Sequence, residues 1–253
     1  MIITIVQSDI IWQNIDANLE LYRKKICNIK SDIIILPEMF TTGFTMNPDL
    51  FAEELDGRTI TWMKKISKKN NSVICGSLII KESNNFFNRF VWVEPTGVIK
   101  TYDKKHLFSF AGENNNYTPG NSKIIIEYKG WKICPLICYD LRFPVWSRNI
   151  EDYDILIYVA NWPSKRKLAW KNLLISRAIE NQCFVVGVNR VGTDGNNHYY
   201  SGDSCLINSQ GELIYISSHV EDLYTTTLNK VELDKNRKQF PFLNDRDKFS
   251  IDN

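Results

Sequence analysis

The sequence has little of what metal binding or disulfide cross-linking requires. Its 253 residues include three histidines, His106, His198 and His219, which lie far apart and form no HExxH or similar ligand spacing. The six cysteines are scattered through hydrophobic segments and are not paired at short spacings. We therefore expect no metal, no other cofactor and no disulfide scaffold, as is usual in a reducing compartment.

Excess charge and long apolar runs are also scarce. The 31 lysines and arginines nearly balance the 29 aspartates and glutamates, which gives a net charge of +2. This balance provides no reason to expect nucleic acid or an anionic membrane as a partner, and lysine pairs such as Lys64-Lys65 fit solvated helix faces. No apolar run reaches transmembrane length, and the apolar segment 2–6 has no basic segment before it. The expected location is therefore the cytoplasm.

The sequence does contain a regular alternation of short apolar runs and helical patterns. Apolar residues at spacings of three and four predict helices over 16–29, 59–69 and 164–182, with Ser164 as a cap, and another helix starting near Pro144. No linker, repeat or low-complexity segment interrupts the pattern, so we predict one α/β domain, 1–253, with two helix-covered sheet layers. Strands are predicted at 2–7, 32–36, 72–80, 87–94, 98–102, 122–128, 131–137, 154–160, 184–189, 204–208, 213–217 and 223–228.

Three polar residues follow predicted strands at positions where α/β folds tend to place ligands. These residues are Glu38, Lys104 and Cys138. A helix N-terminus and a lysine can lower the pKa of a thiol toward neutrality, and a carboxylate can accept its proton. Each signal is weak by itself, because a lone cysteine is more often a small core residue and a lysine pair is usually exposed. The pattern leaves the nucleophilic and the structural interpretations both open.

At these residues the sequence resembles the nitrilase superfamily of carbon–nitrogen hydrolases, whose signature is a Glu–Lys–Cys triad. The resemblance rests on Leu-Pro-Glu at 36–38, Lys-x-His-Leu-Phe at 104–108 and Cys-Tyr-Asp-x-Arg-Phe-Pro at 138–144. Ala-Gly-Glu at 111–113 is similar to the segment that carries the second, structural glutamate of the family. The segment 177–182, on the predicted long helix, is a further match to the family. Segments 39–44 and 240–247 further resemble the bacterial YafV-like omega-amidases.

This resemblance implies a four-layer-forming α-β-β-α sandwich, a homodimer, and amide hydrolysis through a cysteine thioester. Cys138 would attack the amide carbonyl as a thiolate, and Glu38 would take its proton. Lys104 and the backbone N–H of Tyr139 would bind the oxyanion, while Glu113 would position the lysine and the substrate amide. The omega-amidase resemblance implies a short α-keto dicarboxylic acid monoamide as substrate, such as 2-oxoglutaramate or 2-oxosuccinamate.

Several neighbours of the motif residues have a structural interpretation. Lys104 is preferred to Lys105 because the motif places its lysine two residues before His106, and an extended segment would point Lys105 to the opposite side. His106 is interpreted as a hydrogen-bonded core histidine, and Asp140 and Arg142 as an ion-paired scaffold.

The other cysteines are predicted to be packing residues. If Cys134 and Cys138 share one strand, they lie about 13 Å apart. This separation is too long for a disulfide, so a redox pair is the less favoured interpretation.

The substrate pocket is the least determined feature. Phe40, Phe44, Phe143 and Trp162 flank the motifs and are candidates, with Tyr139, for substrate-binding residues, although aromatic residues are more often core. No single basic residue can be assigned to a substrate carboxylate. Two alternatives stay open: another hydrolase of the superfamily (an aliphatic amidase, an N-carbamoyl amino acid hydrolase or a nitrilase), and a non-catalytic scaffold that retains the fold.

Overall fold

Two mixed β-sheets pack face to face at the centre of the molecule, in a computed structural model that describes residues 1–251. The first sheet has six strands in the order β13-β1-β2-β3-β4-β5, and the second has the order β10-β11-β9-β8-β7-β6 with β12 beside β11. The strands are β1 Ile2–Gln7, β2 Ile33–Ile35, β3 Val73–Glu82, β4 Asn85–Val93, β5 Ile99–Asp103, β6 Ile126–Tyr128, β7 Trp131–Ile137, β8 Ile155–Ala160, β9 Phe184–Asn189, β10 Val191–Thr193, β11 Tyr199–Ile207, β12 Leu213–Ser218 and β13 Asp222–Thr227.

Helices cover the outer face of each sheet. Helices α1 and α3 pack on the first sheet through residues such as Tyr22 and Met63, and α5 packs on the second through Trp170 and Leu174. The helices are α1 Ile15–Ile26, α2 Pro48–Phe51, α3 Arg58–Asn70, α4 Pro144–Ser147, α5 Lys167–Asn181 and α6 Lys230–Gln239. No helix within residues 1–251 is long and apolar enough to span a membrane.

Because side chains alternate along a strand, each sheet contributes residues to two hydrophobic layers, one on each of its faces. Along β2, Ile33 and Ile35 point into the layer between the sheets, while Ile34 points toward α1 and α3. The runs are apolar throughout because both faces of these central strands are buried. The α-β-β-α sandwich is therefore confirmed.

The observed elements differ from the predicted ones mainly where polar sequence forms structure. Most strand predictions are confirmed within a few residues, but the predicted strand 122–128 begins only at Ile126. The helix at Pro144 is a single turn, and Ser164 lies inside a 3-10 turn without capping a helix. Helix α6 was not predicted because Leu233 is its one buried residue, which leaves no apolar stripe.

The topology brings several strand ends to one edge of the sandwich. In each sheet three neighbouring strands are parallel, β1-β2-β3 in the first and β7-β8-β9 in the second. Parallel strands end on the same side, so the loops after β2, β7 and β8 can meet there. Strand β5 ends at Asp103 and adds the segment that follows it.

Candidate active site

Cys138 lies at the sharp turn that follows β7. It has a φ of +43°, an unfavourable conformation for a residue with a side chain, and it starts the 3-10 helix Cys138–Arg142. Its half-buried side chain lines a cavity of about 330 Å³, and its Sγ lies 3.9 Å from the carbonyl oxygen of Asn161. The turn therefore presents the thiol to the cavity.

Asp140 holds this turn in place. Its Oδ2 accepts hydrogen bonds from the backbone N–H of Ile137 at 3.0 Å and the hydroxyl of Tyr102 at 2.8 Å. Its Oδ1 accepts from the N–H of His106 at 3.0 Å and lies 2.9 Å from the His106 ring. The scaffold interpretation of Asp140 agrees with these contacts, and His106 is hydrogen-bonded as expected, although it is only partly buried.

The ion pairing expected of Arg142 is not found within residues 1–251. The exposed Arg142 instead places its guanidinium 5.0 Å from the ring centre of Trp162 and lines the cavity. A 3-10 helix has three residues per turn, so residues two apart point in different directions, and Arg142 faces the cavity while Asp140 faces the core.

Glu38 and Lys104 meet beside the thiol. Lys104 Nζ lies 2.9 Å from Glu38 Oε1, and neither side chain is exposed to solvent. The other carboxylate oxygen, Oε2, accepts a hydrogen bond from the backbone N–H of Asn161 at 2.7 Å. Lys105 is directed elsewhere, with its Nζ 5.4 Å from the ring centre of Trp146. The two lysines are directed apart as expected, but the segment is not extended, because β5 ends at Asp103 and Lys105 lies in a bend.

Glu113 completes this buried cluster. Lys104 Nζ donates to Glu113 Oε1 at 3.0 Å and to Oε2 at 2.9 Å. The backbone N–H of Phe108 donates to Oε2 at 2.5 Å, and Asn88 Nδ2 donates to Oε1 at 3.2 Å. Four donor contacts therefore surround one carboxylate, and Lys104 lies between the two glutamates.

The electrostatics of the cluster correct one expectation. Burial raises the pKa of the Cys138 thiol, and the Glu38 carboxylate raises it further, against the smaller lowering effect of Lys104. Burial would lower the pKa of Lys104, but Glu113 and Glu38 raise it above the ordinary lysine value. The prediction of a thiol with a lowered pKa was wrong, because the thiol is buried and the lysine beside it is shared between two carboxylates.

The expected oxyanion donors flank the thiol. The N–H of Tyr139 belongs to the first turn of the 3-10 helix, where the helix itself provides no acceptor. The Lys104 ammonium lies in the cavity wall beside Cys138. A backbone N–H and a cation can together bind a negative carbonyl oxygen.

The aromatic candidates divide into two groups. Phe44, Tyr139 and Trp162 line the cavity, and the ring centre of Phe44 is 5.1 Å from Lys104 Nζ. Phe40 lies in the core, where it packs edge-on against Tyr22 with ring centres 5.4 Å apart.

The ring of Phe143 stacks on that of His106 at 3.6 Å, outside the cavity lining. The positions of Phe40 and Phe143 therefore oppose a substrate contact for either residue. Periodicity could not separate them from the lining residues, because loops close to the motifs can run either toward the cavity or into the core.

The cavity also contains residues that the sequence analysis missed. Arg166 lines it and places its guanidinium 5.0 Å from the ring centre of Phe108. Asp194, His198 and Tyr200 form another part of the wall. Arg166 follows Trp162 closely in the chain, and this proximity was the one available signal.

The described part of the chain offers no cluster of three or more side chains suited to holding a metal. All six cysteines are free, and Cys134 is buried in the core between the sheets. The cavity lining itself contains the thiol of Cys138, the ammonium of Lys104 and the carboxylate of Asp194.

Several known proteins are similar to this chain in sequence. A family model described as carbon-nitrogen hydrolase matches residues 2–238. The omega-amidase YafV of Escherichia coli K12 is 44% identical over 251 residues, which is 98% of each chain. The 2-oxoglutaramate amidase of Bacillus subtilis 168 is 34% identical over 85% of each chain.

A solved structure extends the comparison to three dimensions. A CN-hydrolase superfamily protein from Xanthomonas campestris, with an arsenic adduct in its active site, superposes with a TM-score of 0.97. It is 40% identical, and the match covers 100% of this chain and 99% of that one. With a family model that matches nearly its whole length, this protein belongs to the carbon–nitrogen hydrolase family of the nitrilase superfamily.

Proposed function

We propose that the protein is an omega-amidase that hydrolyses the terminal amide of short α-keto dicarboxylic acid monoamides. The preferred substrates would be 2-oxoglutaramate and 2-oxosuccinamate. The observation that carries the proposal is the contact of Glu38 and Glu113 with Lys104, which lines, together with Cys138, a cavity that also contains two arginines. The similarity to an omega-amidase and to a 2-oxoglutaramate amidase supports this choice within the family.

In the first half-reaction, the substrate amide is converted to a thioester. Because the resting thiol is protonated, Glu38 accepts its proton as the sulfur attacks the amide carbon. Lys104 and the N–H of Tyr139 bind the oxyanion of the tetrahedral intermediate. Glu38 then returns the proton to the amide nitrogen, the C–N bond breaks, and ammonia leaves the Cys138 thioester.

The second half-reaction repeats these steps with water as the nucleophile and the sulfur as the leaving group. Glu38 takes a proton from water as the hydroxide attacks the thioester carbon. The same two donors bind the second oxyanion. Collapse of this intermediate breaks the C–S bond, and the sulfur regains a proton from Glu38, which releases the dicarboxylic acid. Glu113 touches Lys104 throughout and keeps its ammonium in position.

Arg142 and Arg166 are the candidates for binding the substrate carboxylate. Both line the cavity and rest on aromatic rings, and neither guanidinium has a carboxylate within ion-pair distance among residues 1–251. A planar guanidinium can bind a carboxylate through two hydrogen bonds. Phe44 and Trp162 would then enclose the short carbon chain between the carboxylate and the amide.

The direct test measures ammonia release from a panel of amides. Wild-type protein should act best on 2-oxoglutaramate or 2-oxosuccinamate, and Cys138→Ala should show no activity above background. Preference for a nitrile, an N-carbamoyl amino acid or an uncharged amide would instead support another enzyme of the superfamily. Equal ammonia release by wild type and Cys138→Ala would eliminate the proposed nucleophile.

We further propose that the enzyme is a cytoplasmic homodimer, as the superfamily resemblance implies. Its free thiols are compatible with a reducing compartment. Large apolar side chains are exposed on α5 and near the C-terminus, including Leu168, Ile179 and Phe242. Light scattering coupled to gel filtration should give twice the 29.5 kDa chain mass, and a value near 29.5 kDa would contradict the dimer.

A further inference from the structure

Asn88 lies at the centre of the catalytic cluster, although no sequence motif pointed to it. Its side chain is fully buried on β4, and Nδ2 lies 2.8 Å from Glu38 Oε1 and 3.2 Å from Glu113 Oε1. Its backbone oxygen accepts the N–H of Lys104 at 3.0 Å. Asn88 does not line the cavity, so it contacts the catalytic groups without facing the substrate.

Ser77 fixes the orientation of the Asn88 amide. The Ser77 hydroxyl oxygen accepts the backbone N–H of Met39 at 2.9 Å and lies 2.8 Å from Asn88 Oδ1. A hydroxyl has one proton, and Asn88 Oδ1 can only accept, so this proton is donated to Oδ1. The Asn88 NH₂ group must then face the two carboxylates, with one N–H available for each.

This arrangement makes the two oxygens of Glu38 unequal. Oε1 accepts from Asn88 Nδ2 and Lys104 Nζ, whereas Oε2 accepts only from the backbone N–H of Asn161. A carboxylate oxygen with two donors has both of its in-plane lone pairs occupied, so a third proton is disfavoured there. The oxygen that retains capacity for a proton from Cys138 is Oε2.

We propose that Asn88 is a positioning residue that assigns the proton-accepting role to Glu38 Oε2 and holds the carboxylates of Glu38 and Glu113 side by side. The inference rests on the proposed function only in requiring Glu38 to act as the base. Lys104 alone cannot perform this task, because its ammonium must also serve the oxyanion. A neutral amide with two fixed N–H groups stabilises both carboxylates without adding charge.

The test replaces Asn88 with leucine, which has a similar size and no hydrogen-bonding groups. Loss of a donor to a carboxylate favours its protonated form, so the acidic limb of the kcat/KM profile should move up by about one pH unit or more. We expect kcat to fall about ten- to a hundredfold because the base is no longer held in place. KM should change by less than about threefold, since Asn88 does not face the cavity.

Asn149→Leu is the matched control. Asn149 is equally buried, and its side chain donates to the backbone oxygens of Tyr153 and Asn181 and accepts the N–H of Tyr153. It should lose stability like Asn88→Leu and retain the wild-type acidic limb. If both variants lose activity in proportion to stability, with unmoved limbs, Asn88 has only a structural role.

Ser77→Ala keeps the inference testable if Asn88→Leu does not fold. Without the Ser77 hydroxyl, the Asn88 amide is free to flip, so the acidic limb should move in the same direction by a smaller amount. An unchanged limb in Ser77→Ala, with Asn88→Leu unfolded, would overturn the proposal. All pH profiles use the amide that wild type hydrolyses best. An error in the proposed substrate would show in the activity of wild type, whereas an error in the role of Asn88 would show only in the pH profiles of the variants.

Discussion

Replacing Glu113 with glutamine removes the negative charge of the side chain and keeps its size, so this variant tests whether the charge is required. Every neighbour of this carboxylate is a donor: Lys104 Nζ contacts both oxygens, and Asn88 Nδ2 and the Phe108 N–H contact one each. A glutamine of the same length would turn one acceptor into an NH₂ group that faces these donors. No acceptor is available there, so the new amide would repel the ammonium or the Phe108 N–H.

The size of the effect follows from what Lys104 retains. Removing one partner from a buried ion pair costs about 3–5 kcal/mol, and the remaining contact with Glu38 at 2.9 Å favours the lower end. For a chain of this size, about 3 kcal/mol corresponds to a melting temperature lower by roughly 6–12 °C. Drawn toward Glu38 alone, the ammonium would leave the oxyanion position, and kcat should fall by about two to three powers of ten.

The assay pairs a thermal melt with steady-state ammonia release, and Glu53→Gln is the control. Glu53 is partly buried and accepts the N–H of Thr59 at 2.7 Å, but it does not belong to the catalytic cluster. Its glutamine variant should therefore melt close to wild type and keep its kcat. A wild-type kcat in Glu113→Gln, whatever its melting temperature, would refute the assignment of Glu113 as the residue that positions Lys104.

Three further predictions concern the cavity, the thiol and the backbone around the lysine. Arg142→Gln should raise KM for 2-oxoglutaramate roughly ten- to a hundredfold, because a hydrogen bond between the guanidinium and the substrate carboxylate is lost. KM for an uncharged amide should stay nearly unchanged. Equal changes in the two KM values would contradict carboxylate binding by Arg142. Burial and adjacent carboxylates raise the pKa of Cys138, so its alkylation by iodoacetamide, followed by peptide mass spectrometry, should accelerate as the pH rises from about 7 to 9. A rate independent of pH would indicate a preformed thiolate. Gly120→Ala would place a Cβ 2.2 Å from the backbone oxygen of Asp103, next to Lys104. This clash should lower the free energy of unfolding by about 1–3 kcal/mol and should also lower kcat. An unchanged melting temperature would contradict the close contact.

The features that the sequence predicted well depend on local pattern. The run at 32–36 is apolar throughout because β2 is covered on both faces, so its burial could be inferred without knowing the partners. Strand ends mark where parallel strands converge, and Glu38, Lys104 and Cys138 were placed correctly at such ends. Lys104 and Lys105 are directed apart as expected, although the cause is a bend after β5 and not the alternation of an extended chain.

The features that it missed depend on contacts between segments far apart in the chain. Asn88 looks like an ordinary polar residue of an antiparallel strand, and its role follows from the pairing that sets it beside Lys104. Phe40 and Phe44 differ by one turn of loop, yet one enters the core and the other the cavity. Arg166 reaches the cavity only because the loop after β8 folds over it.

The direction of the thiol pKa shift shows why composition of a site does not determine its chemistry. A cysteine, a lysine and a helix start suggest a stabilised thiolate, but the lysine here is held between Glu38 and Glu113. Burial and the Glu38 carboxylate raise the pKa of the thiol more than Lys104 lowers it. A protonated thiol beside Glu38 is the state that follows. Bond formation to the substrate must therefore be coupled to proton transfer, and a group that orients the receiving oxygen, as we propose for Asn88, would govern the rate of the first step.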